Sequence, residues 1–326
     1  MFLIFISRRE LMTKVTIQGE RWFPAEESFS DELPKLWGDW YCDSETGKLR
    51  DVLMRRPGKE IEIISENNYS IYRWKAPMNV AKAQKQHDEL ANIYRQHGVN
   101  VHYVETQRDD RPNSLFMRDQ VFMTPEGAIV CRNGISARRG EERFTAEALG
   151  RLGVPIVKTI NGDGWFDGAC GMWVDRETVI IGTGARANKN GAEQVESELR
   201  NMGVSHIIRF EIPYGHAHLD GLINIADKKT AVLFPWQVPY DVVKQLIDRD
   251  FTIIEATDLE EIKVKASINF VALEPGKIVM PAGCPDTKSK METAGITVIE
   301  TDMSEILKGW GAIHCMTAFL NRDPIN

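Results

Sequence analysis

The fold of this chain is decided by a stretch that reads Asp119-Gln120-Val121-Phe122-Met123-Thr124-Pro125-Glu126-Gly127-Ala128-Ile129-Val130-Cys131. Two apolar runs flank a Pro-Glu-Gly turn, a pattern that is typical of a β-hairpin. Apolar residues then recur at helical spacing around 140–152. Gly153 ends this helix, and Val154-Pro155-Ile156-Val157 follows as a third strand. The stretch therefore predicts one strand–turn–strand–helix–strand unit.

The same unit recurs along the chain. Further helices are predicted near 77–97, 190–202, 239–249 and 286–294, each followed by another apolar run. Four of the five helices end at glycine, and the fourth in chain order ends near Asp250. A repeat of about 50 residues indicates a propeller, barrel or solenoid. We predict an α/β fold, a five-bladed α/β propeller of pseudo-fivefold ββαβ repeats around a central active site. A doubly wound α/β domain is the alternative.

Composition narrows the class of protein. The 326 residues carry a net charge of −7, which argues against nucleic-acid binding. No linker or low-complexity tract interrupts the chain, so we expect one domain over 1–326, with an irregular lead-in at 12–47. The apolar start, residues 1–6, is too short to span a membrane, and Met12 is an alternative first residue. The five cysteines show no C-x-x-C spacing, which favours reduced thiols and a cytoplasmic protein.

Polar residues fall at one place in the repeated unit. Asp119 and Asp167 each stand just before the first strand of a unit, and so do His218 and Asp220. Cys315 follows the fifth unit, where the chain would re-enter the first. Because equivalent positions of successive units converge near the axis of a ring, we expect these five side chains to share one pocket.

This set of side chains predicts a particular chemistry. A thiolate near an imidazole is an activated nucleophile, and the imidazole can pass protons between a leaving group and water. Carboxylates that face a pocket need a compensating cation, and a planar guanidinium fits two of them well. The residues therefore indicate attack by the sulfur of Cys315 on a guanidinium carbon, with neither metal nor cofactor.

Other interpretations of the same residues are possible. Cys315 alone would be read as a buried apolar residue, and Cys170 is the rival nucleophile. A pairing with Arg118 alone, or a turn cap, is the alternative role for Asp119. His216, His218 and Asp220 together form a spacing that can bind zinc or iron. His314 adjoins the nucleophile, but neighbours on a strand point to opposite faces, so we expect a bystander.

Four short segments carry a resemblance to a known family. They are the opening strand at 44–60, Leu115-Phe116-Met117-Arg118-Asp119, Gly184-Ala185-Arg186-Ala187-Asn188 and His218-Leu219-Asp220. Together they resemble the guanidino-group-modifying enzymes of the pentein superfamily, which include arginine deiminases, amidinotransferases and dimethylarginine dimethylaminohydrolases. The similarity extends over nearly all of residues 47–319.

The resemblance implies roles for the matching residues. Asp119 and Asp220 would clamp the guanidinium, and His218 would act as acid and base. Arg186 would bind the α-carboxylate of the substrate. Two segments depart from the deiminase pattern, because Phe166-Asp167-Gly168-Ala169 and Ile313-His314-Cys315 look more like amidinotransferases.

These observations lead to a ranked expectation of function. First is a hydrolase of arginine or a close analogue that works through a covalent thiouronium on Cys315, with Asp167 orienting His218 or holding a substrate nitrogen. Second is an amidinotransferase that passes the amidino group to an acceptor amine. A non-catalytic ring scaffold is the third. We expect a small guanidino compound as the partner, no membrane or nucleic acid, and a possible homo-oligomer.

Overall fold

The repeated unit forms as the sequence predicts. The structure, a computed structural model, describes residues 25–325. In the second unit, Val121–Thr124 pairs antiparallel with Gly127–Val130, and the latter pairs parallel with Ile156–Thr159. The turn requires glycine, because Gly127 has φ +134° and a Cβ there would lie 2.5 Å from the carbonyl oxygen of Pro155.

Within the described residues, fifteen strands form five three-stranded sheets. In chain order they are β1 (Leu49–Met54), β2 (Asn100–Tyr103), β3 (Val121–Thr124), β4 (Gly127–Val130), β5 (Ile156–Thr159), β6 (Gly171–Asp175), β7 (Thr178–Thr183), β8 (His206–Glu211), β9 (Ile223–Asp227), β10 (Thr230–Leu233), β11 (Thr252–Glu255), β12 (Val271–Glu274), β13 (Lys277–Pro281), β14 (Thr297–Thr301) and β15 (Ala318–Arg322). The sheets have the orders β15-β1-β2, β3-β4-β5, β6-β7-β8, β9-β10-β11 and β12-β13-β14. Each sheet therefore holds one antiparallel and one parallel pair.

The described range holds eight α-helices, and five of them connect the second and third strands of a unit. In chain order the helices are α1 (Phe29–Leu36), α2 (Val80–Gln96), α3 (Glu141–Leu152), α4 (Lys189–Asn201), α5 (Tyr240–Ile247), α6 (Leu259–Lys263), α7 (Pro285–Thr293) and α8 (Ile313–Met316), of which α2, α3, α4, α5 and α7 are the connecting helices. The glycines expected after four helices all have positive φ, and Asp250 has φ +64° after α5. Two predictions were wrong in detail. The lead-in contains α1, capped by Ser28, and residue 315 lies in the short helix α8 rather than on a strand.

The first unit is completed by the end of the chain. β15 pairs antiparallel with β1 and supplies the strand that the first unit lacks. Neighbouring units touch through β15 and β3, β9 and β12, and β1 and β12, and the last pair joins the first unit to the fifth. The buried apolar residues form one continuous cluster that includes all five sheets.

The predictions about the chain start and about membrane-spanning segments can be compared with the part of the chain that the structure describes. The apolar start, residues 1–6, and the alternative first residue, Met12, lie outside the described residues. Among residues 25–325, no helix has the length and apolar character that crossing a membrane would require.

Candidate active site

A cavity of about 770 Å³ opens where the ends of the units meet. Five of the six predicted site residues line it: Asp119, Arg186, His218, Asp220 and Cys315. The sixth, Asp167, is fully buried and lies behind His218. Of the five side chains expected to share one pocket, Asp119, His218, Asp220 and Cys315 line the cavity, and Asp167 contacts only the rear of His218.

Just before Cys315, the backbone passes very close to an aromatic side chain at the cavity. A Cβ at Gly311 would lie 2.2 Å from the ring of Phe116, so only glycine allows the chain to pass there before α8. The Sγ atom of Cys315 lies 3.3 Å from Oδ2 of Asp220 and 3.1 Å from Nδ2 of Asn269. Burial raises the pKa of the Cys315 thiol well above its ordinary value, and the charges of Asp220 and Asp119 raise it further. The thiol is therefore protonated while the cavity holds no cation.

His218 is held from behind by a carboxylate. Its Nε2 atom lies 3.0 Å from Oδ2 of Asp167, and its Nδ1 atom lies 3.6 Å from Oδ1 of Asp119. Burial opposes protonation of the ring, but Asp119 and Asp167 outweigh it and raise the pKa of His218. Burial would likewise raise the pKa of Asp167, yet the hydrogen bond from His218 and two cations lower it to about 2. An ionised Asp167 thus fixes the ring and favours its protonated form.

Asp119 keeps one oxygen free for a ligand. Its Oδ2 atom accepts a hydrogen bond from Arg138, which also pairs with Glu141 at 2.8 Å. Its Oδ1 atom is buried and has no hydrogen-bond partner within the part of the chain that the structure describes. The alternative pairing of Asp119 with Arg118 is wrong, because Arg118 binds Glu45 at 2.8 Å instead. A buried carboxylate oxygen that lacks a hydrogen-bond donor, at the wall of a cavity, can accept a hydrogen bond from a ligand.

Arg186 lies between the cavity and Asp167. Its Nη1 atom is 3.2 Å from Oδ2 of Asp167, and its side chain is 15% exposed. The guanidinium has five N–H donors, so this one contact leaves others to face the cavity. The backbone N–H of Asp167 in turn donates to the carbonyl of Arg186, which ties the two segments together.

His314 contacts two buried carboxylates at the site, so the prediction that it plays no part there was wrong. Its Nδ1 atom lies 2.9 Å from Oδ2 of Asp220, and its Nε2 atom lies 3.3 Å from Oε2 of Glu45. The prediction failed because residues 313–316 form a helical turn, so adjacent side chains do not alternate between two faces. Ionised carboxylates only accept hydrogen bonds, so the imidazole of His314 bridges the two buried carboxylates through its two ring nitrogens. Burial opposes ionisation of Asp220, but His314 lowers the pKa of this carboxyl to about 2.

We expect His314→Gln to destabilise the protein by about 3 kcal/mol, because it leaves Glu45 and Asp220 buried without the imidazole that bridges them. Urea unfolding measures this loss. His206→Gln is the matched control, since His206 is half-buried and its ring contacts the neutral amide of Gln245, at 2.9 Å. Equal stability losses in the two variants would contradict the bridging role of His314.

Sequence reasoning missed two further residues at the site. Asn269 donates to the thiol of Cys315 and accepts from its backbone N–H at 3.2 Å. Glu45 anchors His314 and Arg118, and the Arg118 cation is the main influence that lowers the pKa of Glu45 to about 2 against its burial. Asn269 stands just before β12, the first strand of its unit, as Asp119, Asp167 and Asp220 do, whereas Glu45 precedes β1, the middle strand of the first sheet. Applied to the fifth unit, the positional rule would have found Asn269, but it would not have found Glu45.

The structure gives less support to Cys170 as the nucleophile and to the metal site predicted from the sequence. Cys170 is fully buried in the turn before β6 and does not line the cavity. Burial, and then Asp167, raise the pKa of its thiol well above the ordinary value. Among the described residues, the group that could hold a metal is Asp119, Asp167 and His218, rather than the predicted His216, His218 and Asp220. Arg138 and Arg186 already compensate the two carboxylates of that group.

Comparisons with known proteins agree with this site. The family model described as N,N dimethylarginine dimethylhydrolase, eukaryotic, matches residues 62–322. A dimethylarginine dimethylaminohydrolase of Pseudomonas aeruginosa is 30% identical over 73% of this chain and 88% of its own length. A 2-nitroimidazole nitrohydrolase of a Mycobacterium species is 28% identical over 77% of this chain and 71% of its own length.

Solved structures of enzymes with related folds also match this chain. The dimethylarginine dimethylaminohydrolase of Pseudomonas aeruginosa, complexed with citrulline, matches with a TM-score of 0.69 at 25% identity, over 83% of this chain and 99% of that one. An amidinotransferase from Microseira wollei matches in fold, with a TM-score of 0.73 at 15% identity, over 88% of this chain and 98% of that one. The predicted resemblance to the pentein superfamily of guanidino-group-modifying enzymes is confirmed. Because the family model covers most of the chain, the protein belongs to the dimethylarginine dimethylaminohydrolase family.

Proposed function

We propose that this protein hydrolyses the guanidino group of arginine or a close analogue through a covalent thiouronium on Cys315. One observation carries the proposal: the Cys315 thiol shares a cavity with Asp220, 3.3 Å away, and with the unpartnered carboxylate oxygen of Asp119. Two buried carboxylates beside a thiol suit a planar cation with several N–H donors better than a neutral substrate.

Binding of the substrate would activate the nucleophile. A guanidinium held between Asp119 and Asp220 brings a positive charge next to the two carboxylates that raise the pKa of the Cys315 thiol. Its charge therefore lowers that pKa on binding and favours the thiolate. Asn269 supports the same form, because its amide donates to the sulfur. The enzyme would hold an unreactive thiol until a cationic substrate arrives.

The chemical steps follow from the placement of His218. The thiol proton passes to solvent when the guanidinium binds, and the thiolate then attacks the guanidinium carbon and forms a C–S bond. The protonated imidazole gives its proton to the departing amine as the C–N bond breaks. Neutral His218 then takes a proton from water as the water oxygen bonds to the thiouronium carbon. The C–S bond breaks, the sulfur leaves as thiolate, and the protonated ureido product gives its proton to solvent and is released, for example as citrulline. A second hydrolysis would give ornithine.

Asp167 and Arg186 would act on either side of His218. Asp167 fixes the ring and stabilises its cationic form, so it is a positioning residue. Arg186 would offer its free donors to the substrate's α-carboxylate.

We also propose the arrangement that brings these residues together. The contacts between neighbouring units, including the one between β1 and β12, support a closed five-bladed α/β propeller with the site at its centre. The single apolar cluster supports one domain. All five cysteines are free, which fits a cytoplasmic protein.

Amidino transfer is the second candidate. The cavity of about 770 Å³ is in the range of sites for drug-sized ligands and leaves room for an acceptor amine beside arginine. In that reaction ornithine leaves first, and the amine rather than water attacks the intermediate on Cys315.

A product assay separates the two reactions. We expect the protein to release ammonia and citrulline from arginine alone, or dimethylamine and citrulline from dimethylarginine, at a rate that added glycine does not change. Turnover that needs glycine, with ornithine as the first product, would establish transfer instead. Absence of turnover with every guanidine would reject both.

A further inference from the structure

Three cations line the cavity without an ion-pair partner among the described residues. Arg73, Lys75 and Lys263 all border it. In the described range 25–325, none of their side chains forms an ion pair or a hydrogen bond, whereas the other cations at the cavity, Arg138 and Arg186, both do. This is unexpected for a chain whose net charge is −7. Unpaired cations gathered at one wall create a local positive potential that attracts an anion.

Lys75 is the least solvated of the three. Its ammonium lies 4.0 Å from the ring centroid of Trp310, and the side chain is half-buried. Burial lowers the pKa of Lys75, and the charge of Glu260 opposes this only in part. A half-buried charge without a counter-ion loses hydration that a bound carboxylate would replace.

The backbone of this wall is held in a conformation that L residues rarely adopt. Arg73, Ala266 and Trp310 have φ of +64°, +57° and +63°, and all three line the cavity. Asp250 is the one other non-glycine residue with positive φ in the described range, and it lies elsewhere. Such strain is typical of ligand clamps and costs about 1–3 kcal/mol at each residue.

We propose that this wall is a distal anion subsite, which binds a second carboxylate of a guanidino compound longer than free arginine. The inference rests on the proposed function and names its substrate class. The guanidinium would lie at Asp119 and Asp220 and the α-carboxylate at Arg186. An acidic extension would then reach Lys75 and Lys263, with Trp310 packing along its apolar part.

Two matched compounds test this subsite. Nα-glutarylarginine and Nα-pentanoylarginine have acyl chains of equal length and differ only in the terminal carboxylate. We expect wild-type protein to favour the glutaryl compound in kcat/KM by about tenfold or more, which corresponds to one charge-assisted contact. Lys75→Gln with Lys263→Gln should abolish this preference. Lys59→Gln, an exposed lysine outside the cavity, should keep it.

The other outcomes separate this inference from the proposed function. Equal kcat/KM for the two compounds, with arginine turned over normally, overturns the subsite and leaves the function intact. An equal loss for arginine and both compounds in the double variant also overturns it, because the lysines would then serve the α-carboxylate. If nothing is turned over, the function fails, and calorimetric binding of the same compounds decides: equal affinities overturn the subsite, and tighter lysine-dependent glutaryl binding supports it.

Discussion

Replacing Cys315 with alanine is expected to lower kcat for arginine or its preferred analogue by about 10⁴-fold or more, as loss of a covalent nucleophile does. The reason is that no other thiol reaches the cavity among the described residues. Binding should survive, because the carboxylates of Asp119 and Asp220 remain. Ammonia or amine release measures the rate, and calorimetry measures the affinity of the variant.

Cys170→Ala is the matched control for this substitution. Both thiols are buried, but Cys170 borders Asp167 from the protein interior and does not line the cavity. The variant should retain wild-type turnover within about threefold, the scatter expected of small local changes. Full activity of Cys315→Ala together with an inactive Cys170→Ala would make our nucleophile wrong.

Replacing His218 with alanine is expected to lower kcat/KM by about 10³-fold, within the usual range for loss of a general acid and base. Both proton transfers pass through this ring, and no second imidazole contacts Asp167 in the described part of the chain. The pH dependence should change as well. Asp119 and Asp167 raise the pKa of His218, so the protonated ring of the wild-type protein persists to a higher pH than an ordinary imidazole would. The rate then falls as the pH rises past that raised pKa, and this limb should vanish in the variant.

His216→Ala provides the control for the histidine prediction. His216 lies two residues away and lines the same cavity, yet burial and then Lys263 lower its pKa, which makes it a poor acid. We expect its loss to change kcat/KM by less than about fivefold. If His216→Ala and a metal chelator each abolished activity, a metal site that includes His216 would replace the proposed role of His218.

The sequence predicted the repeated unit well, because its signals are local. Hairpin turns, helical periodicity and terminal glycines act within a few residues of each other, and all five units formed where they were expected. The strand β15 was also expected to return to the first unit. The helix α1 was missed because Pro34 interrupts it and its apolar face covers only two turns.

The site was harder to predict, because its contacts join residues far apart in the chain. Asp220 and His314 are separated by 94 positions, and Glu45 and His314 by 269. No local pattern states that His314 bridges two carboxylates. The error arose from one local assumption, that His314 and Cys315 are neighbours on a strand. Arg138 was overlooked for a similar reason: an arginine in a charged loop is ordinarily solvated, and only the folded chain pairs it with Asp119.

The most direct test of the account is the covalent adduct itself. Wild-type protein would be mixed with its best guanidino substrate, quenched in acid within the first turnovers, and analysed by intact and peptide mass spectrometry. We expect an adduct on Cys315 with the mass of the substrate minus one amine, which is the thiouronium that precedes hydrolysis. An adduct with only the amidino group would indicate transfer. Turnover without any adduct on Cys315, or with the adduct on Cys170, would contradict the account.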